Sequence, residues 1–589
     1  MGRPARRCWL LVVCLSALCS ILSVGGSFAS TCDWTGAVDD DWVTAANWSN
    51  CGGTTPGASD SATITSTANQ PLIDSAASVI LSSLSIGSGA TVTVSGSLTL
   101  GDLSGDGLLD VAGDLTWTSG TWSGSGTTTI EAGGQLTISG STTRNLDTRT
   151  LETHGTTTWS GGTIHTYHAP AIVNDGTWDI QGDQDLVLYY TPTATFTNSG
   201  TIQKTSGSAE TLIQAGLANS GSVSAASGTL TLGSTSASAS SSSGAFTASS
   251  GATLGLAGDQ TFTASSSITI PTGAEVSFST GTQTLAGTLD VSGTTRIDGA
   301  DLSVNVLPAH LGDLVVDFGT VALTASGSIP AASVTINNGS LDATSDLAVA
   351  GAWSQNGGTL KGAGNVDVTG AASWTKGSLT GSGTLATNGG LTISGSTTRN
   401  LDTRTLETHG TTTWSGGTIH TYHAPAIVND GIWDIQGDQD LVLYYTPTAT
   451  FTNSGTIQKT SGSAETLIQA GLENPGGAIE VLAGTLIVGH PSHTMTVSQG
   501  SFSAPGGLLS FVAGASGAAP TVRSKDRKPR ALVAGEAPQD EGALRSIREG
   551  AGQAEQNAAI VIPAATESGL ASLAFAIILA ALAILRRAS

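Results

Sequence analysis

Charge is scarce in this chain, and positive charge is scarcest. Lys and Arg number 21 against 44 Asp and Glu, and the four types together make 11% of 589 residues, where ordinary domains carry about 25%. Few Lys, Glu, Arg and Gln means few good surface helix formers, so little helix is expected. From Ser30 to Pro520 there are nine Lys/Arg and 37 Asp/Glu, a balance of 9 − 37 = −28. A surface this acidic repels phosphate backbones and excludes nucleic-acid binding. Divalent cations remain as weak partners. Low charge also argues against disorder, since disordered chains usually carry charge and lack apolar pattern.

Cysteine is nearly absent from the body of the chain. Three of the five (Cys8, Cys14, Cys19) lie in an N-terminal segment that reads as an export signal. Arg3, Arg6 and Arg7 precede an apolar stretch from Cys8 to Leu22, and Ser27-Phe28-Ala29 is a small-x-small cleavage site. Leu18 before Cys19 is not small, which disfavours a lipoprotein reading. Residues 1–29 are therefore a signal peptide. The pair left after cleavage, Cys32 and Cys51, is expected to form a disulfide in an exported protein. Closing that loop stabilises by about 3 kcal/mol in the chain-entropy model.

What the chain has instead is Gly (78 residues), Ser, Thr and repetition. Residues 136–217 and 391–472 are one 82-residue sequence written twice, differing only at Thr177 against Ile432 and offset by 391 − 136 = 255 residues. A long internal duplication is the mark of a repeat architecture, in which each turn touches only its neighbours. Runs such as ATVTVSGSLTL (90–100) and QLTISG (135–140) alternate apolar and polar residues with period 2, as half-buried strands do. Trp117, Ile138 and Trp159 are spaced by 21, as are Trp353 and Trp374. That spacing suits one coil of a solenoid, and 255/21 is close to 12 whole coils. Asn174, Asn198 and Asn219 each open an Asn-x-Gly corner; Asn and Gly tolerate positive φ, and stacked Asn can bond in ladders.

The expected fold is all-β: a long parallel β-solenoid of ~21-residue coils over 55–513, with an N-terminal cap at 30–54 and a C-terminal transmembrane helix. Cys32, Cys51, Trp34, Trp42 and Trp48 supply the cap; an aromatic carbohydrate-binding face or a calcium loop at Asp39–Asp41 is the alternative use of that segment. Residues 234–243 read as a low-complexity loop. Residues 514–560 read as a flexible linker, whose cluster from Arg523 to Arg530 is a solvated stretch, a protease site or a contact to anionic headgroups.

The chain ends in a short motif from Ile562 to Gly569, 16 apolar or small residues from Leu570 to Leu585, and Arg586-Arg587. About 17 residues is the lower limit for a bilayer span, and the arginines orient the end toward the cytoplasm. The motif resembles the bacterial IPTL-CTERM sorting signal, a relative of PEP-CTERM. Ile562, Pro563, Glu567 and Gly569 match it, while Ala564, Ala565 and Ser568 depart from it. The resemblance implies an exosortase-type processing peptidase as partner, in an exported protein held at the envelope or cell surface. FTNSGTIQKTSGSAETLI and NSGSVSAASGTLTL resemble repeats of adhesin-like and autotransporter-like β-helical surface proteins. No membrane β-barrel pattern accompanies them.

The strongest candidate site is His165, Tyr167 and His168 with Tyr189-Tyr190, repeated as His420, Tyr422 and His423 with Tyr444-Tyr445. His and Tyr can perform acid–base chemistry, with Asp179, Asp183 and Asp185 nearby; the positively charged residue a polysaccharide lyase needs would have to come from Arg144, Arg149 or Lys204, which are few and isolated. Paired carboxylates are the glycosidase signature, but Asp also belongs in turns. His165 and His168 lack a third metal ligand, and no residue pattern implies a cofactor. The reading is a surface spacer or adhesin that binds polysaccharide or cell surfaces through this patch; a polysaccharide lyase or glycosidase, and a self-assembling filament, are the alternatives.

Overall fold

The computed structural model describes residues 29–512, except 238, 491–495 and 499, together with strands Thr521–Arg523 and Arg530–Ala531. The signal segment, the sorting motif, the helix expected at Leu570–Leu585 and Arg586-Arg587 lie outside the described residues. Among the described residues no helix is long and apolar enough to cross a membrane, and the helix that is present is the three-residue Ala45–Asn47.

Most coils are triangles of three short strands, while Thr294–Val304 and Asp313–Leu323 are long strands that each serve two faces. Thr156–Trp159, Ile164–Tyr167 and Ala171–Asn174 make one coil, and Thr177–Gln181, Leu186–Tyr190 and Thr195–Asn198 stack on it in parallel. Alternate residues point inward: in Thr156–Trp159 the buried positions are Thr157 and Trp159. The inward set is mainly Leu, Ile, Val, Ala and Trp, and each strand is covered on one face only, which is why the alternation is so regular. One ladder runs through 24 rungs from Thr31–Trp34 to Thr521–Arg523. At about 4.8 Å per rung, the rod is on the order of 110 Å long.

Two boundaries differ from the sequence reading. Thr31–Trp34 pairs in parallel with Ser61–Ile64, so the N-terminal segment supplies the first rung of the ladder. Its outer edge is taken by Trp48–Ser49 in antiparallel pairing. Cys32 and Cys51 form the disulfide. Trp34, Trp42 and Trp48 are buried against one another, with centroids 4.7–6.4 Å apart, so none offers a face for a sugar. At the other end, Thr521–Arg523 pairs with Phe502 and Ser503 inside the segment expected to be a linker. The low-complexity stretch also contains a strand, Ser240–Ser242, which pairs with Gln260–Phe262.

The spacing of 21 holds in places. Trp117, Ile138 and Trp159 are one rung column, as their spacing predicts. Trp353 and Trp374 are not. Trp353 opposes Ala372 and Gln355 opposes Trp374, so the coil there is shorter, at 372 − 353 = 19. Elsewhere Thr177 opposes Thr201, a longer coil of 201 − 177 = 24. The solenoid absorbs these differences in its corners.

The corners explain the glycines. Asn174, Asn198 and Asn219 keep ordinary φ and point inward, where the Asn174 amide nitrogen donates to the Asn198 amide oxygen and that of Asn198 to the Asn219 amide oxygen, both at 2.7 Å. The Asn ladder exists, but it is interior, and the expected positive φ does not occur. Gly176, Gly200 and Gly221 are needed for another reason. A Cβ on Gly200 would lie 2.1 Å from the carbonyl oxygen of Gly176, and one on Gly221 equally close to that of Gly200. Stacked corners approach too closely for any side chain.

The duplicated block does not repeat after whole coils. From Thr156 the ladder climbs twelve coils to Thr405, a distance of 405 − 156 = 249 residues. The copy of Thr156 is Thr411, six residues and one face further on. The second copy therefore sits one face round the prism from the first. Inward residues still point inward, because all three faces share the same alternation; the join must preserve strand parity and corners, not coil number.

Candidate functional site

Aromatic residues are sorted by type. Trp34, Trp42, Trp48, Trp117, Trp122, Trp159, Trp178, Trp353, Trp374, Trp414 and Trp433 are all buried. The six tyrosines of the chain are Tyr167, Tyr189 and Tyr190, and their copies Tyr422, Tyr444 and Tyr445. All stand on the outer surface, with Tyr189, Tyr190, Tyr444 and Tyr445 each 57% exposed.

The first platform is built on adjacent rungs. In Ile164–Tyr167 the inward residues are Ile164 and Thr166, so His165 and Tyr167 face out. The next rung, Leu186–Tyr190, brings Tyr189 and Tyr190 above them. His165 stacks on Tyr189 (4.9 Å, 20°), Tyr167 lies 5.0 Å from Tyr189 and 5.8 Å from Tyr190, and His168 stacks on Tyr190 (6.0 Å, 18°). The following rung, Glu210–Ile213, meets Leu186–Tyr190 only at Leu186. Nothing in that ladder covers the far side of Tyr189 and Tyr190, and their rings are left open to solvent.

A corner fixes the edge of the platform. His168 and Ala169 have φ of +55° and +56°, and Thr148 on the rung below has +60°. Such values cost non-glycine residues about 1–3 kcal/mol each and gather at functional sites. They are held by Ala169 N–H donating to the Pro192 carbonyl and Thr148 N–H donating to that of Tyr167. His168 Nδ1 lies 2.8 Å from Asp147 Oδ1. Asp147 is the member the sequence reading missed. The signal was present, since Asp147 and His168 are separated by 21 in sequence, one coil; His154 and Asp175 pair at the same separation.

Burial, with Tyr189, Tyr190 and Asp147 adding to it, raises the Tyr167 phenol above its ordinary value. Burial, with Tyr444, Tyr445 and Asp402 adding to it, raises Tyr422 in the same way. Both hydroxyls stay protonated at neutral pH and can donate. Burial lowers His420, favouring neutral imidazole. The second platform repeats the first: His420 on Tyr444 at 5.0 Å, His423 on Tyr445 at 6.0 Å, and His423 Nδ1 2.9 Å from Asp402.

The other candidates are used elsewhere. Arg144 is buried and donates to the carbonyls of Trp117, Thr118 and Gly161, among others. Arg149 is buried and donates to Gly105, Gly107 and Thr127, and desolvation lowers it to about 10. Lys204 is buried against Asp183 (2.7 Å) and Thr211. Asp185 accepts the Leu212 N–H, and Asp179 accepts the Thr205 hydroxyl. None of the three cations reaches the platform, and these carboxylates organise turns. Among the described residues no group of three His, Cys, Asp or Glu could hold a metal ion.

The platform can therefore present open ring faces, phenol donors and a His–Asp pair on an anionic surface. No known protein family matches the chain, and no match was found among curated proteins or solved structures.

Proposed function

We propose that this is an exported bacterial surface protein whose rod acts as a spacer and adhesin, holding polysaccharide on its two His/Tyr platforms. The sorting of aromatics carries the reading: tryptophan fills the core and every tyrosine is spent on the platforms. A pyranose ring packs its C–H face on an aromatic face while its hydroxyls meet phenol and imidazole groups, as amphipathic rings at wet interfaces do. The balance of −28 between Ser30 and Pro520 disfavours polyanionic glycans, so the ligand is a neutral polysaccharide. The first-rung segment closes the apolar end of the rod, with Trp34, Trp42 and Trp48 as cover and Cys32–Cys51 as clasp.

Replacing Tyr189, Tyr190, Tyr444 and Tyr445 together by Ala is expected to abolish binding across a panel of neutral glucans and N-acetylglucosamine polymers. The melting temperature should stay within a few degrees, because the rings are exposed. Unchanged binding contradicts the reading. The His168–Asp147 pair beside Tyr167 favours one second reading, hydrolysis or elimination on a bound glycan; shortened chains in the same assay would support it.

Placement at the envelope rests on the motif from Ile562 to Gly569, the apolar stretch and Arg586-Arg587. Intact mass of the cell-derived protein is expected to show loss of residues 1–29 and of the tail beyond the motif, as an exosortase-type peptidase would leave it. A mass retaining Leu570–Leu585 means a plain membrane anchor instead.

A further inference from the structure

We infer that one molecule bridges two separate polysaccharide chains, because its platforms lie on different faces of the prism. This rests on the polysaccharide-binding reading above. The first platform stands on the ladder of Arg144–Asp147, Ile164–Tyr167 and Leu186–Tyr190. That ladder continues through Glu210–Ile213 and Asp313–Leu323 to Leu391–Ile393 and Thr411–Trp414. It never reaches Ile419–Tyr422. The second platform belongs to the ladder that carries Ala171–Asn174 and Gly216–Asn219 in the first copy. From there the path runs by way of Ser240–Ser242 and Gln260–Phe262 to Arg399–Asp402, Ile419–Tyr422 and Leu441–Tyr445.

The two platforms are thus 12 coils and one face apart. Along the axis that is about 60 Å at about 4.8 Å per coil. A stiff glycan lying on one face meets one platform and then leaves the molecule without passing the other. To engage both it must also cross a corner, over a surface built mainly of Thr, Ser and acid side chains. Had the duplication spanned whole coils, both platforms would share a ladder and could grip one chain in tandem. Whole coils would have set the offset at 405 − 156 = 249, and the actual 391 − 136 = 255 removes that option. The platforms point to different neighbours.

The test uses the full chain and two bead populations carrying the same neutral β-glucan, each with its own dye. The parent protein is expected to join beads of both colours into mixed clusters. Tyr189→Ala/Tyr190→Ala and Tyr444→Ala/Tyr445→Ala should each still bind soluble glucan through the intact platform, within about twofold of the parent. Neither should cluster beads. If both platforms grip one chain, each variant instead loses about 10²–10⁴ in apparent affinity and the parent fails to cluster; that result overturns bridging and leaves polysaccharide binding standing. A parent that binds no glucan or N-acetylglucosamine polymer overturns both. Thermal melts of each variant check that the rod is intact.

Discussion

Buried polar side chains hold this rod together where few other devices are available. Its nine cations between Ser30 and Pro520 include Arg144, Arg149, Lys204, Arg399, Arg404 and Lys459, all buried. Desolvation lowers Arg149, Arg399 and Arg404 to about 10, so each charge is carried at a cost that corner carbonyls offset. The Asn ladder achieves the same without charge. Asn198 accepts from Asn174 and donates to Asn219, with both bonds buried. Asn198→Ala removes both ladder bonds and the bonds its amide donates to the Gly200 and Ser222 carbonyls, while Asn174 keeps Gly176 and Thr201 as acceptors and Asn219 keeps the Gly221 N–H as donor. At about 0.5–1.5 kcal/mol net per lost bond, a loss of about 2–5 kcal/mol is expected in urea unfolding. Asn429, Asn453 and Asn474 repeat the ladder at 2.7 Å spacing, and Asn453→Ala should cost the same. A loss below about 1 kcal/mol at both sites shows that the ladder bonds contribute little beyond the carbonyl contacts that remain. By contrast, the single difference between copies, Thr177 against Ile432, faces outward, with Ile432 41% exposed; it alters no core contact.

At the scale of strands and coils, most of the architecture was legible, because a one-sided core writes its pattern into every strand. Alternation in ATVTVSGSLTL gives Thr91–Val94 and Ser97–Ser104 directly. The disulfide and the platform clusters were also legible from type and proximity. Much of what failed had one cause: coil length is not constant. One turn of the solenoid advances the chain by 372 − 353 = 19 at Trp353 and by 201 − 177 = 24 at Thr177, and the corners take up the difference. A spacing of 21 therefore means a shared column for Trp117, Ile138 and Trp159, and means nothing for Trp353 and Trp374. The same drift made 255 look like a whole number of turns. Asp147 escaped for another reason: it lies one 21-residue coil from His168, and only the stacking of coils brings the two together. Corner chemistry misled for a different reason. Asn-x-Gly suggests positive φ, but here the Asn serves as an interior ladder and the Gly as clearance between stacked backbones.

For the molecule as a whole, the duplication sets length and facing together, and deletion can separate them. Removing residues 136–390 takes out 391 − 136 = 255 residues and joins Gln135 to Leu391, the copy of Leu136. Every rung downstream then meets a neighbour that already exists in the parent, since 391–472 carries the sequence of 136–217. At about 4.8 Å per coil, that variant is expected to fold into a rod shortened by about 60 Å, to on the order of 50 Å. It should melt within a few degrees of the parent. It keeps one platform, and by the bridging argument it binds glucan without clustering beads. Removing residues 156–404 instead takes out 405 − 156 = 249 residues, 12 whole coils, and joins Gly155 to Thr405. Each ladder continues on its own face, but Thr405–Thr408 must now stack on Gln135–Ile138, whose parent neighbour is Thr156–Trp159. The Trp159 position over Ile138 is filled by Thr408, leaving a cavity and an unpaired hydroxyl at the join. Small-angle scattering and protease digestion should find the deletion of 136–390 intact and the deletion of 156–404 frayed near its junction. The opposite ranking would mean that a strand's place on a face, rather than the neighbour it was duplicated with, decides which rungs can stack.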